Sequence, residues 1–187
     1  MLLPALRLFL VLTLLTGIAY PLVMTGIAQL AFHDKANGSV LSRNGKAIGS
    51  ELLAQRFDSP IYFQPRPSAC DYGTVASGAS NKGPTSADLH KAVNERRAAF
   101  HTRNNLPSQA DVPNEMAFAS GSGLDPHISP EAARMQVSRV AAARNFTEAQ
   151  KQALMQLVER SVEQPQFGVF GQPRVNVLRL NIALDGL

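Results

Sequence analysis

The chain has 187 residues, 45% hydrophobic and 17% charged, with a formal net charge of +4 and a pI near 9.6. That size is a prior for one globular domain, and Lys and Arg scattered along a chain without tryptophan argue against nucleic acid as a partner. One cysteine, Cys70, excludes an internal disulfide and reads as a small packed residue, since no histidine lies near it in sequence.

Leu8 to Phe32 contains no charged residue and is long enough to cross a bilayer as a helix. Residues 1–7 are expected in the cytoplasm, 8–32 in the membrane and 33–187 outside the cytoplasm, because Arg7 and the amino terminus precede a large following domain. A cleaved signal peptide is the competing reading. Its apolar region normally runs for about 7–15 residues, and no A-x-A site precedes Asp34. Pro21 predicts a kink in the span, and Gly17 and Gly26 permit another helix to approach.

Asn37 to Ser50 predicts a hairpin turning at Asn44-Gly45, and Glu51 to Phe57 one or two helical turns. Ser59 to Thr85 is rich in Pro, Gly, Ser and Asn and reads as a long ordered loop anchored by Ile61, Tyr62, Phe63 and Tyr72. Thr85 and Asp88 have capping-box spacing for a helix to about Arg103, followed by a connector and a short strand at Met116 to Ala119. Ser129-Pro130-Glu131 opens a second helix, and Thr147 with Gln150 a third. Leu178, Leu180, Ile182 and Leu184 alternate with Arg179, Asn181 and Ala183, which predicts a half-buried strand. The fold class expected is α+β: one transmembrane helix, then a single extracytoplasmic domain with a small antiparallel sheet packed on about three helices.

The chemistry-bearing residues are few. His33, His90, His101 and His127 show no zinc spacing, no P-loop occurs, and Gly78 to Gly83 misses the spacing of a nucleophile elbow. No catalytic residue and no metal ligand is assigned. Ser77, Gly78, Ser80 and Asn81 precede the Thr85 helix start, where converging backbone N–H groups suit a phosphate or a partner's carboxylate; a tight structural loop is the alternative. Arg66, held extended between Pro65 and Pro67, either presents its guanidinium to a partner or caps a carbonyl within the loop.

Several segments together resemble the KdpC family. They are Tyr62-Phe63-Gln64-Pro65-Arg66-Pro67-Ser68-Ala69, Ala76-Ser77-Gly78-Ala79-Ser80-Asn81 running into Gly83-Pro84-Thr85, and Ser120-Gly121-Ser122-Gly123-Leu124-Asp125-Pro126-His127-Ile128-Ser129-Pro130. Arg139-Val140-Ala141 with Arg144, Phe170-Gly171-Gln172-Pro173-Arg174-Val175-Asn176-Val177-Leu178 and Asn181-Ile182-Ala183-Leu184-Asp185 complete the set. Ala79 departs from the family, which usually has glycine there.

The resemblance implies an accessory subunit of a high-affinity, ATP-driven potassium uptake complex in the bacterial inner membrane. Its implied partners are a channel-like potassium-binding subunit, a P-type ATPase subunit and a small single-span subunit. The family is described as a catalytic chaperone that raises the ATP affinity of the ATPase subunit, and the Ser77 to Asn81 loop is the nearest match to its nucleotide-sensing signature. No cofactor is assigned to this chain itself, and ATP enters through the complex. Tyr62, Arg66 and Pro67 become candidate partner contacts. ATP is cytoplasmic while the domain is expected outside, so any influence on ATP use is expected to be indirect. The positive net charge favours scaffolding or access control over gathering potassium. The alternative from another class is a stand-alone, membrane-anchored module that binds an envelope ligand.

Overall fold

The computed structural model describes residues 2–43, 45–107 and 109–187. These form two compact units, Met1–Ser50 and Glu51–Leu187.

In the first unit, α1 (Leu2–Leu14), a π turn (Leu15–Ala19) and α2 (Tyr20–Ala31) form one apolar helical stretch, Leu2–Ala31, long and apolar enough to cross a membrane. It begins earlier than the uncharged run, at Leu2, and so includes Arg7. The disturbance expected from Pro21 takes the form of the π turn. Proline has no N–H to give to the turn before it, and the Tyr20 N–H bonds back to the Leu15 carbonyl, closing a wider ring. The Thr16 hydroxyl donates to the Leu12 carbonyl (2.8 Å). A short α3 (His33–Ala36) leads to a hairpin of β1 (Val40–Arg43) and β2 (Lys46–Ser50), as the sequence predicts. Its ladder shifts register between Leu41 and Ser42, which is a bulge. Asn44 of the expected turn lies outside the described residues.

The second unit is built around α6 (Pro130–Ala143), whose Ala132, Ala133, Val137, Val140 and Ala141 are buried. Its start is as predicted: the Ser129 hydroxyl accepts the Ala132 N–H (3.0 Å) and Pro130 occupies the first turn. α7 (Glu148–Arg160) also starts as predicted, with the reciprocal Thr147–Gln150 capping box, and buries Leu154 and Val158. Arg134 makes a two-pronged ion pair with Glu159, at 2.6 and 2.8 Å, between α6 and α7. α4 (Ala87–Asn104) is capped by Ser86, one residue after Thr85, and Asp88 instead pairs with Lys82 (2.9 Å).

Three expectations are corrected. Glu51 to Phe57 is not helical: the Ala54 N–H is taken by the Leu124 carbonyl (2.8 Å), a long-range bond that a helical turn would not make. Met116 to Ala119 is not a strand. A one-turn helix, α5 (Asn114–Ala117), follows Pro113 and buries Met116 and Ala117, in a stretch too short to display a period. The alternating run at the C-terminus is helix α8 (Val177–Leu184), capped by the Asn176 side chain, which accepts the Arg179 N–H (3.1 Å). Val177, Leu180, Asn181 and Leu184 are its buried stripe, so the same eight residues satisfy periods of both 2 and 3.6.

The strand lies just upstream, as β5 (Arg174–Asn176). It is the centre of a three-stranded antiparallel sheet, between β3 (His127–Ile128) and β4 (Val162–Glu163). The hairpin β1–β2 forms a separate two-stranded sheet.

The segment from Pro60 to Gln64 runs from the surface into the core, pairing with no strand among the described residues, and Phe63 is fully buried. Its backbone is matched by side chains. The Phe63 N–H donates to Asn181 Oδ1 (2.8 Å), and Asn181 Nδ2 donates to the Phe63 carbonyl (2.9 Å). Gln136 does the same for Gln64, accepting its N–H (2.8 Å) and donating to its carbonyl (3.2 Å). Arg139 donates to the Pro60 and Tyr62 carbonyls, to Asn104 Oδ1 and to Gln136 Oε1. Arg144 donates to the Ile61 carbonyl (2.9 Å). Buried peptide groups need such partners, and amide side chains can supply a donor and an acceptor at once.

Replacing the Asn181 amide with an apolar group of similar size, Asn181→Leu, strands both peptide groups of Phe63. The expected loss is about 2–4 kcal/mol, read from the denaturation midpoint of the full chain in detergent.

Candidate functional site

Beyond the clamped residues the chain runs through Pro65, Arg66 and Pro67 to the edge of the three-stranded sheet. Arg66 forms an ion pair with Asp125 (2.8 Å), while its carbonyl accepts the Tyr72 hydroxyl (2.9 Å) and the Pro67 carbonyl accepts the Ser120 N–H (3.1 Å). Asp125 accepts the His127 N–H (3.0 Å) and lies 3.4 Å from the His127 ring nitrogen Nδ1. The other ring nitrogen is 4.0 Å from Glu163, which pairs with Arg174 (3.0 Å). Arg66, Asp125, His127, Glu163 and Arg174 thus alternate in charge across β3, β5 and β4 when His127 is protonated. Arg66, Asp125, His127 and Arg174 line an open cleft of about 530 Å³ together with Glu115, Gln164, Gln166, Phe170 and Gln172.

Burial alone would raise the Asp125 pKa. The side-chain and backbone hydrogen bonds from His127, and the bond and charge of Arg66, outweigh it and hold the carboxyl at about 2. The cleft therefore carries a fixed carboxylate against a fixed guanidinium. The Arg66–Asp125 pair is mutually compensated, whereas Glu115, which also lines the cleft, accepts the Ser129 N–H (3.3 Å).

The structure separates the expected site residues into two groups. Arg66 lines the cleft and turns its guanidinium inward to Asp125, whereas Pro67 is not part of its lining and its carbonyl accepts the Ser120 N–H. The Tyr62 hydroxyl donates to Asp185 (3.2 Å), and its ring lies beneath the Arg144 guanidinium (5.1 Å) and beside Phe57 (5.7 Å). Ser77, Ser80 and Asn81 are exposed and Gly78 half-buried, in a loop ahead of the Ser86 cap. Asp88, in the first turn of α4, places a carboxylate near the helix end that an anion would use.

The same loop packs against residues 120–124. A Cβ on Gly123, which has φ +71°, would collide with the Cys70 sulfur and come within 3.1 Å of the Gly78 carbonyl. Glycine is therefore required at that close approach. Asp125, His127, Glu163 and Arg174 escaped the reading of chemistry in the sequence. Asp125 and His127 are neighbours in sequence, and the shared sheet brings Glu163 and Arg174 to them.

The chain thus combines an N-terminal helix long and apolar enough to cross a membrane with an α+β unit that carries a polar cleft. Residues 2–186 match the family model described as "KdpC: K+-transporting ATPase, c chain". A potassium-transporting ATPase KdpC subunit of Cereibacter sphaeroides is 50% identical over 182 residues, covering 97% of this chain and 95% of that protein. One of Mycobacterium tuberculosis, with the same description, is 48% identical over 188 residues, covering 100% and 98%. The chain belongs to the KdpC family.

The depressed Asp125 pKa has a definite pH consequence. An unfolded aspartate titrates near pH 3.9, above the folded value of about 2. Its contribution to stability is therefore present above about pH 4 and lost as pH falls toward 2. Asp125→Asn is expected to lower stability by about 1–2 kcal/mol at pH 7, with the gap from the parent closing between pH 5 and 2. Urea unfolding of the full chain across that range measures it.

Proposed function

We propose that the chain is the accessory, non-catalytic subunit of a potassium-transporting ATPase, needed for its assembly and activity. The observation that carries this reading is similarity along the whole chain, from the membrane helix through the cleft to the C-terminal helix. The helix Leu2–Ala31 anchors the protein in the bacterial inner membrane, with its amino terminus in the cytoplasm and the unit 51–187 outside. There the unit caps the channel-like potassium-binding subunit and also stabilises the assembly with the P-type ATPase subunit and the small single-span subunit.

The chain raises the ATP affinity of the ATPase subunit through the assembly, without touching the nucleotide. Ser77, Gly78, Ser80 and Asn81 serve as a partner-facing loop in this reading, since the Lys82–Asp88 pair at the start of α4 disfavours phosphate. Arg66 serves the partner by shaping the cleft, and Tyr62 and Pro67 by fixing the segment around it.

Two measurements test this. Purified from potassium-starved cells, the complex should contain the full chain in stoichiometric amount, and a complex lacking it should show a several-fold higher KM for ATP. Recovery of the chain alone while the pump subunits are present would contradict the role. On a Cys70→Ser background, Ser77→Cys should react with a membrane-impermeant maleimide on intact cells. Labelling from the cytoplasmic side only would overturn the orientation.

A further inference from the structure

Residues 164–173 carry no ionisable side chain, and the loop they form is closed at its neck by the Arg174–Glu163 pair. Within it the Gln166 N–H donates to the Phe170 carbonyl (2.8 Å), the Phe170 N–H returns a bond to Gln166 (2.9 Å), and the Gly168 N–H donates to Pro165 (2.9 Å). Phe167 has φ +56°, a conformation costly for a bulky residue, with Gly168 at +75° beside it.

This ordered backbone holds three large apolar side chains in water: Phe167 is 89% exposed, Val169 76% and Phe170 68%. None of them belongs to the hydrophobic core. Each forgoes about 1.5–3 kcal/mol of burial.

We propose that this loop is a preformed plug that inserts into an uncharged apolar pocket on another subunit of the potassium-transporting ATPase; this rests on the accessory-subunit reading above. An anionic lipid surface is the lesser fit. Apolar tips that enter a bilayer are usually flanked by free Lys or Arg, whereas the flanks here are Gln164, Gln166 and Gln172, and the neighbouring Arg174 is paired. Aromatic anchors ringed by uncharged amides, with charged residues excluded from the centre, match the anatomy of a protein–protein interface.

The cleft continues the same surface. Phe170 and Gly171 form part of its wall, so a partner seated on the plug also meets the Arg66–Asp125 pair. A preordered loop binds with little loss of conformational freedom, which suits it as the anchor of a permanent subunit contact.

The test uses the full chain co-expressed with the other pump subunits. Phe167→Ser combined with Phe170→Ser should reduce co-purification at least about tenfold, with the Tm of the isolated full chain unchanged. Met155→Ser, at an exposed apolar residue on α7, should have no effect. A photo-crosslinking amino acid at position 167 should give a product with another pump subunit. Undiminished recovery of the double variant, or a product formed only with a second copy of this chain or with lipid, overturns the proposal. Failure of the parent chain itself to co-purify would instead sink the accessory-subunit reading on which it rests.

Discussion

A backbone that enters a hydrophobic core without a neighbouring strand must find a donor or acceptor for every buried peptide group, and here the side chains of Asn181, Gln136, Arg139 and Arg144 provide most of them. Asn181 on α8 and Gln136 on α6 each hold both peptide groups of one residue, Phe63 and Gln64. Arg139 then collects carbonyls from Pro60 and Tyr62 and joins them to Asn104 at the end of α4. Burial first, and the nearby charge of Arg103 second, lower the Arg139 pKa to about 10. The guanidinium therefore stays charged at neutral pH, and its cost of burial is offset by hydrogen bonds to nearly every donor. Three helices and the loop are thereby locked to one another, and removing any one of these side chains leaves buried partners unmatched.

The position of the cleft follows from that lock. Gln64 is followed directly by Pro65-Arg66-Pro67, whose rings limit the backbone, so Arg66 reaches the sheet edge as a fixed cation for Asp125. Asp125 precedes β3 on one edge of the sheet, while Glu163 lies in β4 on the other edge and pairs with Arg174 of the central β5. The loop carrying Phe167, Val169 and Phe170 departs from that same edge. A polar cleft and an apolar tip are thus presented on one rigid surface of the unit, an arrangement suited to holding a partner in one orientation.

The helices whose starts carry their own chemistry were legible in the sequence. Ser129-Pro130 and the Thr147–Gln150 box specify caps that depend only on neighbouring residues. Val177 to Leu184 was misleading because eight residues satisfy two periods, and the deciding signal was the Asn176 cap. Asn181 read as an alternating position of a half-buried strand; its role, like that of Gln136, exists only once Phe63 and Gln64 lie against them. The cleft was illegible for a similar reason, since Arg66, Asp125, Glu163 and Arg174 are brought together by tertiary structure. Several of its residues nevertheless fall within the segments that resemble KdpC. Family likeness therefore marked the important stretches before geometry explained them.

Amide hydrogen exchange on the full chain in detergent tests the side-chain lock most directly. The Phe63 and Gln64 N–H groups lie in no helix or strand, yet the account places them among the slowest to exchange, opening only when the whole 51–187 unit unfolds. Exchange of these two amides at the rate of the exposed loop near Ser77, while α6 remains protected, would contradict it.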